Sequence, residues 1–509
     1  MSLGRQLIQN ILTSWLGYAL RIVIGFVFVP YITATLGSER YGIWVIAFQI
    51  IGYFTLFDLG LERAVVKFVA HLAARKDFGA VTRVFSTAAS LYFALGACAL
   101  ITSWIFGFLA FDIFKAPLAV IQEGRGAFYL LGTLLSVRLC LSPWTSTVVG
   151  LQRSDIINAL DIGEEVLRVT LLVIVLSLGG SLTWLAAAVL GAGLLRHIGT
   201  VLWLRFRHGE IEFTRSEVDP AARRDLFRYA GISFAINIAW LIVFGTDMAL
   251  LGLLSSSAAA GLYAPAANIM LYLRNAVNAA GIPLAPAVAS LESRKLGNSV
   301  QDAYLRGIKY VSFGAVFLAT GVVSYAAPFV RLWLPPEFGD TARVMTILAV
   351  GSAAFLPQII GNAVLFGLEK HKFLLAALAC EAVLKLTLSL ALIGPYGAAG
   401  MAAATAAAQI VACLSVYPYV MSRVLNVSLH LLLLTQIKSG LLAAVVTIPV
   451  AAALSHLLPP NGWPSLFANV FIVTIVSAVV GFGVVLESSD RKRILEVIIR
   501  RNWSGESPK

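Results

Sequence analysis

The stretch GLQRSDIINALDIGEEVLRVTLLVIVLSLGG, Gly150 to Gly180, decides how the rest of the chain is read. It is apolar enough to cross a membrane, yet Asp161, Glu164, Glu165 and Arg168 stand near its middle. A second stretch, GLEKHKFLLAALACEAVLKLTLSLALIGPYG from Gly367 to Gly397, repeats it at an offset of 217 residues. In that register Gly150 meets Gly367, Glu164 meets Glu381, Arg168 meets Lys385, Thr170 meets Thr387 and Gly180 meets Gly397. A charge inside hydrocarbon costs roughly 2.5–3.5 kcal/mol on insertion scales. Two such positions kept in register mark two copies of one membrane unit. A fainter echo, at an offset of 219, brings Gly42 of ERYGIW onto Gly261 of AAGLYA and Arg75-Lys76 onto Arg294-Lys295.

Composition agrees. The 509 residues are 59% hydrophobic and 13% charged, with a mean hydropathy of +0.86, where a soluble chain carries about 25% charge. The expected fold is all-α and polytopic. The net charge of +12 fits basic cytoplasmic loops better than nucleic-acid binding, since no basic face on a soluble fold is visible. Cys98, Cys140, Cys380 and Cys413 all lie in apolar runs, which gives neither a disulfide framework nor metal-ligand spacing. No cofactor is implied. The first apolar run, about Ile11 to Ile32, is too long for a signal-peptide core and reads as a retained span.

A crossing needs about 20 apolar residues. That criterion places fourteen spans, among them 11–33, 42–68, 126–149, 156–178, 182–204, 229–253, 261–290, 344–367, 373–393 and 398–421. Lys and Arg number 23 in the loops and tails of one side against 5 on the other (Arg40, Lys115, Arg125, Arg331, Arg343), so both termini are expected in the cytoplasm. The expected organisation is an N-lobe of helices 1–6 (1–217), a C-lobe of helices 7–12 (218–425), two further helices (426–486) and a basic tail (487–509). Parallel six-helix repeats of this kind are related by an axis along the membrane normal, with a substrate site near midplane. In the tail, DRKRILEVIIRRNW (490–503) reads as a helix on the anionic inner leaflet.

No P-loop, HExxH or GxSxG is present, so no enzyme is indicated. What remains is polarity in mid-span, a functional-site hypothesis by default. Gly17, Arg21 and Gly25 form a stripe in helix 1, with Tyr18 beside it. Ser233, Asn237, Trp240 and Asp247 line a face of helix 7, and Asn268, Arg274, Asn275 and Asn278 one of helix 8. Such stripes are satisfied by a water-filled cavity. Arg21 and Arg274 suit anion binding, because a guanidinium matches phosphate oxygens two at a time; bonding to backbone carbonyls is the alternative. Glu164–Arg168 and Glu381–Lys385, spaced i, i+4, can each neutralise themselves within one helix. They serve either lobe packing or ion coupling. Snorkelling covers most of Asp58, Glu62, Arg63 and Lys67, and Arg138 has no assigned role.

The motifs LGSERYG (36–42), FDLGL (57–61), GLYAPAANI (261–269), GLEKHKF (367–373) and PYGAAGMAAAT (395–405) resemble the polysaccharide (O-antigen-type) flippases. These belong to the multidrug/oligosaccharidyl-lipid/polysaccharide exporter superfamily. The resemblance spans the chain and implies a transporter of the inner membrane. It would move undecaprenyl-pyrophosphate-linked oligosaccharide to the outer leaflet by alternating access, for surface polysaccharide biosynthesis. Arg21 and Arg274 would then hold the pyrophosphate, and Tyr18, Asn237, Asn268, Asn275 and Asn278 would line the sugar path. Glu164, Arg168, Asp247, Glu381 and Lys385 are left to coupling or structure. Membrane lipids and polysaccharide polymerase or assembly proteins are the implied partners; no nucleic acid is. The coupling ion, H+ or Na+, is not named by the sequence. The rivals are a cation-coupled multidrug-type exporter, a lipid II flippase and, from another class, a membrane glycosyltransferase or polymerase.

Overall fold

A computed structural model of the protein describes the backbone of residues 3–109, 111–281, 284–293, 297–488 and 491. Side chains of 3–18, 221, 225, 227–233, 279–281, 285–287, 293 and 297–298 are outside that description. Tyr18, Ser233, the Arg294-Lys295 pair and most of the tail 490–503 therefore lie outside the described residues.

The described residues form seventeen α-helices and no strand. In order, α1 covers Leu3–Phe54, α2 Leu61–Ala74, α3 Phe78–Leu109, α4 Leu118–Gly150, α5 Ser154–Ser177 and α6 Leu182–Arg207. Then come α7 Pro220–Gly245, α8 Asp247–Leu254, α9 Ser257–Gly281, α10 Leu284–Ser293 and α11 Gly297–Trp333. The chain continues through α12 Thr341–Phe355, α13 Gln358–Gly367, α14 His371–Val411, α15 Tyr417–Leu425, α16 Leu429–Leu457 and α17 Trp463–Val480.

Eight helices are long and apolar enough to cross a membrane, and two bent pairs, α7 with α8 (52°) and α12 with α13 (41°), can each make one more. This is a multi-pass membrane fold. The bookkeeping differs from fourteen separate spans because breaks, not loops, divide several of them. The 52 residues of α1 would reach roughly 78 Å at 1.5 Å per residue, more than twice a ~30 Å hydrocarbon core. Gly37, at φ 72 and ψ 171, splits α1 into two directions; Gly397, at φ 55, does the same in α14. Only glycine enters these regions without steric cost. The expected span 42–68 is itself interrupted at 55–60, where Leu59 (φ 51) and Gly60 (φ 78) turn left-handed between α1 and α2. That interruption is the FDLGL motif.

The sequence repeat reappears in the backbone. After α4 and after α13 the chain makes the same turn: Gln152 and Glu369 both have positive φ (61 and 56). Arg153 N–H donates to Val148 O at 3.1 Å, and Lys370 N–H to Leu365 O at 2.9 Å. Each turn launches the charged helix of its repeat, α5 or α14.

The chain forms two compact units, Met1–Pro265 with Ile393–Met401, and Ala266–Leu392 with Ala402–Lys509. In the first, α4 packs against α3 and α6, and α5 lies against α1 and α6. Its core runs from Leu61, Val65 and Val69 through Phe85 and Tyr92 to Leu135 and Leu139. In the second, α11 is the spine, packed on α12 and α16, with Tyr325, Ala451, Leu466 and Val473 buried together.

Candidate functional site

The first unit gathers mid-span charge from five helices. Asp161 on α5 gives one carboxylate oxygen to each of two guanidiniums: Arg196 Nε of α6 donates to Oδ1 at 3.0 Å, and Arg21 Nη2 of α1 stands 3.7 Å from Oδ2. Arg196 is further fixed by donating through Nη1 to Thr145 Oγ1 on α4 (3.0 Å) and to His197 Nδ1 (3.1 Å). Its side chain is 9% exposed, against 53% for Arg21 and 28% for Asp161. A guanidinium has no lone pair, so His197 accepts at Nδ1 and carries its proton on Nε2.

Charge continues outward from this centre. Glu164 lies within electrostatic reach of Arg196, Asp161, Arg168 and Arg138. Arg138 also acts on Asp58 and Glu62, which gives it a place in the network that sequence alone did not supply. Asp58 accepts from the Tyr92 hydroxyl and, at 3.1 Å, from Gly60 N–H. It is therefore pinned at the break between α1 and α2 rather than snorkelling. Beside it opens a cavity of about 340 Å³, lined by Thr55, Asp58, Gly60, Asn237, Trp240 and Phe244 among others. Asn237 and Trp240 thus face a cavity, as their stripe predicts.

The spacing of Glu164 and Arg168 predicts an i, i+4 pair, and here the structure differs. Arg168 Nη2 donates to Glu165 Oε1 at 2.5 Å, an i, i+3 contact, while Glu164 lies among the charges of Arg196, Asp161, Arg168 and Arg138. In the helix three and four residues apart are both neighbours, and Arg168 takes the one at i, i+3.

The remaining sequence-derived residues separate. Asp247, 7% exposed, accepts from the Tyr263 hydroxyl at 2.6 Å at the start of α8, beside the α7–α8 bend. In the second unit Glu381 and Lys385 are each 1% exposed. The Tyr417 hydroxyl donates to Glu381 Oε2 at 3.3 Å, and the positive charges of Lys385 and Arg274 both reach this carboxylate. Asn268, Arg274 and Asn275 are half-buried and Asn278 is exposed along α9. Arg196 is the member of the Asp161 cluster that the sequence reading passed over. Its signal was there, an Arg-His pair inside the apolar run 182–204, open to the same rule that singled out Arg21.

Comparison with known proteins bears on this arrangement. The model of the family described as "Polysaccharide biosynthesis protein" matches residues 7–292. The uncharacterized membrane protein EpsK of Bacillus subtilis is 24% identical over 506 residues, covering 96% of this chain and 97% of that one. A putative O-antigen transporter of Shigella flexneri is 21% identical over 405 residues, covering 78% of this chain and 93% of its own. Among solved structures, the lipid II flippase MurJ in an inward closed conformation aligns with a TM-score of 0.72 at 14% identity, over 93% of this chain and 97% of that one. An inward-facing multidrug resistance transporter of the MATE family aligns at 0.66 and 13% identity, over 79% and 98%.

Proposed function

We propose, for a chain that belongs to the polysaccharide biosynthesis protein family, that it is a flippase. It carries undecaprenyl-pyrophosphate-linked oligosaccharide from the cytoplasmic to the outer leaflet of the inner membrane, with both termini in the cytoplasm. Such a headgroup cannot cross hydrocarbon unaided. It needs water and hydrogen-bonding groups for its sugars and fixed cations for its phosphates. Its lipid tail stays in the bilayer. The observation that carries the reading is the partly exposed cluster of Arg21, Asp161, Arg196 and Glu164 on otherwise apolar helices. Charge at that depth is tolerated where it lines a wet cavity. The O-antigen transporter of Shigella flexneri supports the same cargo class.

In this reading Arg21 and Arg274 are the mid-span guanidiniums that bind phosphate. Asn237 and the asparagines of α9 serve the sugars. A charged hydrogen bond is worth about 1.5–3 kcal/mol, so loss of one arginine weakens binding roughly ten- to a hundred-fold. Lysine rescues in part, since it keeps the charge and loses the fork. The test is a deletion strain of the source organism carrying each variant, scored for surface polysaccharide with membrane abundance measured in parallel. The expected order is wild type, Arg→Lys, Arg→Ala at both positions. Full activity of both alanine variants removes these residues from the mechanism, and normal polysaccharide in the deletion strain removes the flippase reading.

A further inference from the structure

Two ion pairs of the first unit differ in kind. Arg153 and Asp155 close on each other in a fork, Nε to Oδ1 and Nη2 to Oδ2, both at 2.9 Å. One arginine meets one carboxylate there and nothing is left over. At Asp161 a single carboxylate is divided between two arginines from different helices. Arg196 is largely buried and anchored by three hydrogen bonds. Arg21 is half exposed and, at 3.7 Å, beyond direct hydrogen-bond reach. The result is one rigid guanidinium at the back, one accessible guanidinium at the front and an acid between them. Carboxylate and phosphate present the same pair of acceptor oxygens to an arginine fork, so Asp161 occupies the place an anionic ligand would take.

We infer that Arg21 and Arg196 form a phosphate subsite of the first unit, and that Asp161 is its resident counter-ion, displaced from Arg21 when a phosphate arrives. The inference rests on the flippase reading above and adds to it a residue and a means of release. With the site vacated, Asp161 returns to Arg21, so two guanidiniums are never left together without an anion. Unpaired charge at this depth is costly. The same return competes with the bound phosphate and lowers its affinity, which a transporter needs in order to let its cargo go. Arg196, held by Thr145 and His197, stays in place throughout and acts as the fixed wall of the subsite.

The test uses the purified full-length protein in nanodiscs, titrated by calorimetry with inorganic pyrophosphate and with geranylgeranyl diphosphate. Asp161→Asn removes the competing charge and is expected to tighten both ligands about fivefold or more, the lower range of measured couplings between sites. Arg196→Gln and Arg21→Gln are each expected to weaken them about tenfold. In the Arg21→Gln background, Asp161→Asn is expected to gain less, because only the competition at Arg196 is then relieved. Asp161→Ser repeats the measurement with a smaller side chain should the asparagine variant fold poorly, and unliganded melting of every variant reports folding. Equal or weaker binding by folded Asp161 variants overturns the inference, as does a gain undiminished by loss of Arg21. Complementation of the deletion strain keeps the two readings apart. A wild-type protein that complements yet binds no pyrophosphate overturns the subsite alone; one that fails to complement overturns the flippase reading itself.

Discussion

Replacing Gly42 with alanine would push a methyl group into the carbonyl of Ser257 and to 3.2 Å from the backbone nitrogen of Gly261. The approach is mutual, since a methyl group on Gly261 would meet the Ser38 carbonyl and the Gly42 nitrogen, the latter also at 3.2 Å. All of these are backbone atoms of α1 and α9, so no rotamer change relieves the overlap and the helices themselves must part. Overpacking of this kind costs about 1–3 kcal/mol, and rigid obstacles argue for the upper end. Alanine would otherwise stabilise a helix by about 0.4–1 kcal/mol through the unfolded chain. Gly52, on the same helix, has nothing within 4 Å of such a methyl group and isolates that benefit. Thermal unfolding of the detergent-solubilised protein separates the two. Gly42→Ala and Gly261→Ala are expected to melt several degrees below wild type, with Gly52→Ala at or above it. The double variant should fall short of the sum, because either methyl group alone already forces the helices apart. If Gly42→Ala melts with Gly52→Ala, the close approach is not what those glycines provide. Gly42 and Gly261 are also counterparts in the sequence repeat, so the contact joins a residue to its own image.

Three further outcomes follow from the ion pairs. Glu381 and Lys385 are both buried, so Glu381→Leu or Lys385→Met alone is expected to cost about 3–5 kcal/mol and reduce protein level, while the double variant comes close to neutral; normal level with lost transport in the single variants would favour ion coupling instead. Arg168 pairs with Glu165, so exchanging those two residues is expected to restore the level lost in either single variant, whereas exchanging Arg168 with Glu164 is not; the measurement is membrane abundance by immunoblot. Asp155 lies ahead of the apolar run that begins at Ile156, and the Arg153 fork holds its carboxyl below the usual carboxylate range. Its contribution, about 0.2–1 kcal/mol for a partly exposed pair, is present above the unfolded value near 3.9 and lost as pH falls through the lower folded one. Melting of wild type and Arg153→Gln should therefore differ at pH 7 and converge as the pH drops below about 4.

Much of this architecture was legible because a membrane simplifies the physics. An apolar run with a few charges has little choice but to be a spanning helix with those charges turned inward, and Asp161, paired with Arg196 of the neighbouring helix, fits that rule. What the sequence hid was partnership. Arg168 has Glu164 and Glu165 at equally good spacing, and it takes Glu165, while Glu164 also feels Arg196 across the bundle. Leu59 in a left-handed conformation carries no signal in its residue type. Gly60 beside it does, and the break that the two make together is what brings Asp58 to the cavity.

The repeat teaches the same lesson from the other side. Glu164 and Glu381 stand at matching positions after matching turns, Gln152 and Glu369 both being left-handed. Yet Glu164 sits half-buried in a network of four charged neighbours, while Glu381 is sealed with Tyr417 and Lys385. Duplication copied the helix and its charge, and the neighbours decide what the charge is for. Asp161, unlike Glu381, is partly exposed and divided between two arginines, the arrangement proposed above to exchange partners with a phosphate. Where neighbours seal the acid, removing a partner strands a charge in a dry site, so a packing role is the expected one. Exposure of the acid is thus the property in which the two copies differ, Glu164 being half-buried and Glu381 sealed.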